Sequence, residues 1–443
     1  MTLVEQTPGS AVRTGPVARC LRAARRHPRE LSVVLVIVLL PFGDHELRGL
    51  SIVYLAMLIP AAFALRTVVR DEQPVPASLI LLGLAGGCVI ALIAAAGGVN
   101  PGDAITRVVI GFITLGYAVG IVMTYRPGLE IGATDLLVVM GGIIAAQALS
   151  AAGSLTATDG GWVVGGRLTG PFAQPNELGM FCAALLPVGV TCVVTSTTRR
   201  RTVVLAVATL AIAGAWALSM SRGAWIGGAA ALVCLTIAVP AVRRLVLRAG
   251  AAVAALCVLA VTLPSSVPLL GVLGSRLHSL ADPANNEYDA RPLIWGEAWR
   301  QITGRPWFGV GPEGYSTAAG DSASTISSYG ADHPHDLYLS VLVERGVIGM
   351  AAGIVVVAGC VLTAWHHLRR RPDTESDTDA VRSARSLAVI AALLAVAVHG
   401  VFDLPLRNPI LAGLVWTLLG MAIVAELVRP APPLPVQRKR TRP

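Results

Sequence analysis

The sequence predicts an all-α polytopic membrane protein with about twelve transmembrane helices and one large loop that carries short helices. Three observations lead there. Of the 443 residues, 54% are hydrophobic and 14% are charged, against about 25% charged in a soluble domain, and the mean hydropathy is +0.68. The apolar residues are gathered into runs close to the ~20 residues that a bilayer core requires of a helix. Arg and Lys cluster at both termini and in alternate short loops, which is a topology signal. A soluble architecture and a disordered chain are both excluded. Length alone would suggest about three soluble domains at ~150 residues each, but the bilayer is the relevant ruler here.

Taken in order, residues 1–30 form a basic segment assigned to the cytoplasm. Nine spans follow within 31–264, near 31–43, 49–66, 78–97, 104–124, 131–152, 176–197, 202–219, 223–241 and 248–264. The first is short, and residues 25–30 can extend it. No small-residue cleavage site follows it, so a cleaved signal peptide is not expected. Residues 265–346 are hydrophilic, residues 347–427 hold spans near 347–366, 386–403 and 409–427, and 428–443 is a basic tail. With both termini placed in the cytoplasm, most of the 35 Arg and Lys fall on the cytoplasmic side and the long loop faces outward. The net charge of +9 is thereby a matter of topology, and no nucleic-acid partner is expected. The ten basic residues left outside, among them Arg107, Arg167, Arg222, Arg291 and Arg407, need local reasons. Of seven cysteines, all but Cys20 lie in apolar runs, with no disulfide or zinc pattern.

A loop as long as 265–346 is improbable without structure of its own. Leu293, Ile294, Trp295, Ala298, Trp299 and Ile302 recur at helical spacing, with Pro292 in the first turn and Gly304 and Pro306 closing the run. This predicts an amphipathic helix lying on the membrane or on the bundle. A second helix is predicted from Asp336 to Arg345, stopping at Gly346. Between them, Gly309-Val310-Gly311-Pro312-Glu313-Gly314 spells G-x-G-x-x-G without the strand and helix that a dinucleotide site needs. It reads as a tight turn leading from the Trp helix to the His segment.

Chemistry concentrates in a few places. His333 and His335 fall together in Asp332-His333-Pro334-His335-Asp336, where flanking carboxylates can orient or charge a histidine base; the alternatives are a solvated cluster or an adventitious metal site. A zinc site needs three or four ligands, and the two histidines leave only Asp and Glu to complete it, so no metal is expected. Arg222 sits in the very short turn Ser219-Met220-Ser221-Arg222-Gly223 and offers a planar fork for phosphate oxygens, or snorkels to the interface. Arg291, one turn ahead of Trp295, is a second phosphate ligand or a surface charge. Arg167 and Glu177 flank a loop in which Asn176 is a candidate N-cap; they face a substrate or serve the structure. His399 and Asp403, four apart at the end of span eleven, are expected to share a helix face.

The combination resembles the O-antigen ligase family of membrane glycosyltransferases and related polysaccharide polymerases. The most specific match is His335-Asp336, nine residues, then Gly346-Val347-Ile348-Gly349, similar to a signature of His plus Asn, Ser or Gln, nine residues and G-x-x-G. Asp336 departs from it. Arg291 to Trp299, Pro306 to Gly311, Ser221-Arg222-Gly223, Leu168 to Glu177 and His399 to Asp403 also match, so the resemblance covers about 160–425.

The resemblance implies a GT-C-like bundle in the cytoplasmic (inner) membrane with its active site outside. It implies inverting, metal-independent transfer of a glycan from a polyprenyl pyrophosphate carrier to a lipid or glycan acceptor hydroxyl, without a cofactor, in cell-surface polysaccharide assembly. In that scheme His335 is the general base, Arg222 and Arg291 hold the pyrophosphate, and His333 and Asp336 are candidates for orienting the base. Rival readings are a polymerase using the same donor, a transporter or flippase, which would show midplane charges and inverted repeats, and a non-catalytic scaffold.

Overall fold

The computed structural model describes residues 27–71, 73–155, 162–164, 166–262, 291–320, 332–369 and 376–428. The expectations for the N-terminal basic segment up to residue 26, for loop residues 263–290 and 321–331, and for the tail from 429 lie outside the described residues. The remainder is a bundle of fourteen α-helices with no closed sheet. In chain order these are α1 (Pro28–Leu39), prolonged by a 3-10 turn to Phe42, α2 (Ile52–Arg70), α3 (Leu79–Ala96), α4 (Pro101–Met123) and α5 (Leu129–Ser150). Then come α6 (Pro175–Val194), α7 (Arg199–Leu218), α8 (Arg222–Ala238), α9 (Pro240–Thr262), α10 (Arg291–Gly304) and α11 (Tyr315–Ala318), and finally α12 (Leu337–Leu368), α13 (Asp377–His399) and α14 (Pro409–Leu427). All but α10 and α11 stand where a span is predicted.

Among the described residues, nine of these helices are long and apolar enough to cross a membrane, and α8 is apolar but only 17 residues long. Their starts carry the residues that satisfy free backbone N–H groups. Ser51, Ser78, Asn100, Ser221 and Asn408 each accept from a first-turn amide, and Pro opens α4, α6 and α14. Two helices form the axis of the bundle. The apolar windows of α6 and α14 are 78% and 89% buried, whereas those of α7 and α12 are 22% and 17% buried and lie at the periphery. An apolar face left uncovered by protein is what lipid contact requires. Around this axis α2 packs on α4, α3 on α12, α5 on α7 and α8 on α13. Two antiparallel two-residue hairpins, β1 (Glu46–Leu47) with β2 (Leu50–Ser51) and β3 (Val163–Val164) with β4 (Arg167–Leu168), tie down loops at the bundle end where α6, α8 and α14 begin.

Three boundaries differ from expectation. α9 starts at Pro240, eight residues early, so Arg243, Arg244 and Arg248 ride on a helix. α13 runs from Asp377 to His399 instead of 386 to 403, so Arg382 and Arg385 are helical and Asp403 lies beyond the helix end. Arg385 is 2% exposed, and its Nη1 donates to the Ile131 carbonyl and to Asp135 at 2.7 Å each. Charge reads as loop punctuation in a sequence, but a charge with a carboxylate and carbonyls around it is satisfied inside a bundle. Glu426 behaves likewise: it accepts from Ser78 Oγ at 2.6 Å and from the Leu79 amide at 3.0 Å, capping α3 from α14. Finally, the predicted 336–345 helix and span ten are one element, α12, interrupted only at Gly346 (φ 65°, ψ −168°).

Candidate functional site

The site is built where the long loop meets the starts of α6, α8 and α14 and the end of α13. α10 is amphipathic as expected: Ile294, Ala298 and Ile302 are buried against Val310, Tyr315 and Val343, while Leu293 and Trp299 stay exposed. Tyr315 Oη donates to the Ile294 carbonyl at 2.9 Å, which ties α11 to α10. The G-x-G-x-x-G segment is a turn that docks on the break in α12. Val310 and Gly311 amides donate to Val343 and Glu344 carbonyls at 2.8 and 3.1 Å, and the Val347 amide donates to the Pro306 carbonyl at 2.8 Å. This approach requires glycine on both sides. A Cβ on Gly346 would stand 2.2 Å from the Trp307 oxygen, and one on Gly309 would stand 2.3 Å from the Val343 oxygen; both have positive φ.

From this platform the indole of Trp295 donates to the Pro334 carbonyl at 3.0 Å and holds the His segment. His335 adopts a left-handed backbone, φ 52°, which costs a non-glycine residue roughly 1–2 kcal/mol. The next residue, Asp336, is the N-cap of α12, its Oδ1 accepting from the Tyr338 and Leu339 amides at 2.8 Å each. Burial pushes the pKa of Asp336 up against the pull of those two amides. The Asp336 carboxylate thus serves its own helix start and is not turned to His335; it caps, as Asn or Ser would. His333 meets His335 by ring contact and not by a hydrogen bond. Its Nδ1 pairs with Asp332, whose other oxygen accepts from Arg407 at 2.8 Å, and its ring lies 4.2 Å from that of His335, centroid to centroid.

The carboxylate that faces His335 is that of Asp403. Its Oδ1 lies 3.3 Å from His335 Nδ1, and its Oδ2 accepts from Asn176 Nδ2 at 3.0 Å. Asp403 is 5% exposed. Burial raises its pKa, yet the hydrogen bonds from His335 and Asn176 outweigh this and bring the carboxyl down to about 2. Asn176 in turn accepts at 2.8 Å from Arg167, whose Nε donates to the Ser219 carbonyl at 3.0 Å. Residues distant in the chain thus form one line, Ser219, Arg167, Asn176, Asp403 and His335. Asn176 is not the N-cap of α6, which is Gln174; two residues into the cap region, its side chain is available for this link. Glu177 serves the structure. Its Oε2 accepts from the Ala173 amide at 2.9 Å and the Gln174 amide at 3.3 Å, and from Asn408 at 3.4 Å, joining the starts of α6 and α14.

The turn 399–403 gathers the rest. Arg291 Nη2 donates to the Phe402 carbonyl at 3.3 Å. Gly223, next to Arg222 at the start of α8, packs on this turn so closely that a Cβ there would lie 2.9 Å from Phe402 Cβ and 3.0 Å from His399 Nδ1. Arg222 is half-buried at the first position of α8. His399 is 1% exposed, and neither ring nitrogen meets hydrogen-bond geometry with any described residue. The expectation that His399 and Asp403 share a helix face is overturned: the helix ends at His399, and the turn after it carries Asp403 to His335. Other basic residues at this end have structural reasons. Arg107 pairs with Glu313, Arg407 with Glu313 at 2.9 Å, and Arg305 donates to the Gly97 carbonyl at 3.0 Å.

Chemically, a carboxylate facing Nδ1 favours the tautomer with the proton on that nitrogen, which turns Nε2 of a neutral imidazole into the accepting atom. The same folding supplies the third metal-ligand candidate that the sequence does not show: ligand atoms of His333, His335 and Asp403 lie within 4.8 Å of one another.

Residues 207–353, which include Arg222, Arg291, His333, His335 and Asp336, match the model of the family described as O-Antigen ligase. The match spans about a third of the chain and likens this segment to the O-antigen ligase family. The family supports an O-antigen ligase-like or polymerase-like activity in general terms, that of a glycosyltransferase-like ligase acting on lipid-linked glycans. Arg167, Asn176, His399 and Asp403 lie outside the matched stretch and reach the site only through the fold. A comparison with curated proteins gives no significant match.

Proposed function

We propose that the chain transfers a glycan from a polyprenyl pyrophosphate-linked donor to an acceptor hydroxyl at the extracytoplasmic face of the inner membrane, both termini being cytoplasmic. The observation that carries this reading is the pairing of His335 with buried Asp403 beside Arg291 and the start of α8. Nε2 of His335 takes the acceptor proton as the acceptor oxygen attacks the anomeric carbon from the face opposite the carrier. The bond from that carbon to the pyrophosphate oxygen breaks, which inverts the configuration. Arg222 and Arg291 hold the diphosphate and stabilise the charge it gains, worth on the order of 3 kcal/mol for one such donor; the N-terminus of α8 adds its dipole. The step needs no metal, because the imidazole itself takes the proton.

The test is glycan transfer by purified, folded protein reconstituted with a lipid-linked donor. His335→Ala is expected to lose about 10²- to 10⁴-fold in rate, and turnover near wild type would remove the base assignment. Arg222→Lys keeps the charge and loses the bidentate fork, so unaltered activity there would remove the phosphate clamp. A ladder of products from single repeat units marks polymerisation, whereas a ligase moves only the glycan it receives.

A further inference from the structure

We infer that His333, His335 and Asp403 form a binding site for a divalent transition metal ion of the zinc class. The first ground is the spacing of the pair already described. Nδ1 of His335 and Oδ1 of Asp403 are 3.3 Å apart, long for an N–H···O bond, which clusters near ~2.9–3.0 Å. Two ligands held at 2.0–2.2 Å by a tetrahedral ion stand about 3.3–3.6 Å apart. The pair already has the edge length of a metal tetrahedron.

The second ground is the surrounding set of partners. His333 has its Nδ1 committed to Asp332, so its Nε2 is the nitrogen left for a ligand role. Asp332 is itself held by Arg407 at 2.8 Å. The free oxygen of Asp403 is held by Asn176 at 3.0 Å. A carboxylate behind the imidazole of His333 and a donor behind the metal-binding carboxylate are outer contacts of the kind by which such sites fix ring tautomer and orientation. The ligand atoms of all three residues lie within 4.8 Å of one another, so a modest closure brings the third ligand into place. Two imidazoles and one carboxylate favour Zn2+, Co2+, Ni2+ or Cu2+ over Mg2+ or Ca2+, which prefer oxygen. Three protein ligands leave a fourth position for water.

Resting on the proposed function, the site has a consequence for turnover. An ion on Nδ1 of His335 moves the imidazole proton to Nε2, and the nitrogen that accepts the acceptor's proton then has no lone pair. The ion is an inhibitor, not a cofactor.

The experiment uses the full-length, tag-free protein in detergent, titrated with Co2+ and followed by the visible bands of four-coordinate cobalt. One Co2+ per chain is expected, displaced by Zn2+. His333→Ala is expected to weaken binding at least tenfold and Asp332→Asn 10- to 100-fold, while His45→Ala, at an exposed histidine beside Asp44, leaves it unchanged. Absence of the bands in the wild-type protein, or the same affinity in His333→Ala, overturns the site. If His333→Ala does not fold, Asp332→Asn carries the test at an exposed position, and unchanged affinity there counts against the site equally. In transfer assays Zn2+ is expected to inhibit wild type reversibly on chelation and to inhibit His333→Ala at least tenfold less well, each against its own metal-free rate. Full transfer with the ion bound would overturn His335 as base and leave the metal site standing.

Discussion

At the residue scale, His335 and Asp403 act as a unit although 68 residues separate them. The carboxylate is committed to accepting from His335, Asn176 and the Leu404 amide. Asn at 403 would preserve the shape and lose the charge, and the amide nitrogen could present a donor to Nδ1, favouring the wrong tautomer. Asp403→Asn is therefore expected to lower glycan transfer by about 10²- to 10⁴-fold with unchanged yield of folded protein; transfer within threefold of wild type would show that another group orients the base. His335 and Arg291 were legible as chemistry in the sequence because imidazole and guanidinium in a polar loop have few structural uses. Asp403 was visible, but its partner was not. Asn176 looked like a cap, since a short polar side chain before an apolar run most often is one.

At the element scale, loop residues 306–311 are held by backbone hydrogen bonds to the broken turn of α12. The break at Gly346 frees the Val343 and Glu344 carbonyls to accept from the 310–311 amides. The period of apolar residues in α10 and the glycines of the turn were both readable, and so were the glycines at 346 and 349. Their mutual contact was not, because close approach between two loops leaves no periodicity. Gly346→Ala would meet the Trp307 oxygen and a positive φ together. Strain of this kind costs about 1–3 kcal/mol for the backbone alone, before the clash is counted. The variant is expected to lower the thermal midpoint of the detergent-solubilised protein by several degrees and to expose the 306–311 segment to proteolysis. An unchanged midpoint would contradict the docking described.

At the scale of the whole molecule, the two ends of the bundle are held by different ionic networks. At the His335 end, Arg407 joins Asp332 to Glu313. At the other end, Arg385 of α13 joins Asp135 of α5 to Thr195 after α6, with Arg201 of α7 on the same Asp135. Removing one partner from a buried pair costs about 3–5 kcal/mol, largely through the charge left behind. Arg201 still pairs with Asp135 after Arg385→Ala, so that variant is expected to destabilise the folded protein by less than this amount in denaturant titration. Arg385→Ala together with Asp135→Ala should cost less than the sum of the two single changes. Strict additivity would mean the pair is not coupled.

Composition and the period of apolar runs by themselves determined a helical membrane bundle, its twelve main helices and the polar loop that bears the histidines, because burial in lipid acts on each segment separately and writes itself into local sequence. Which polar side chains meet was decided by tertiary structure alone. The end of α13 one turn early, the pairing of Asn176 with Asp403 and the seating of His335 all depend on packing between helices far apart in the chain, and hydrogen bonds between such partners leave no mark on the residues between them.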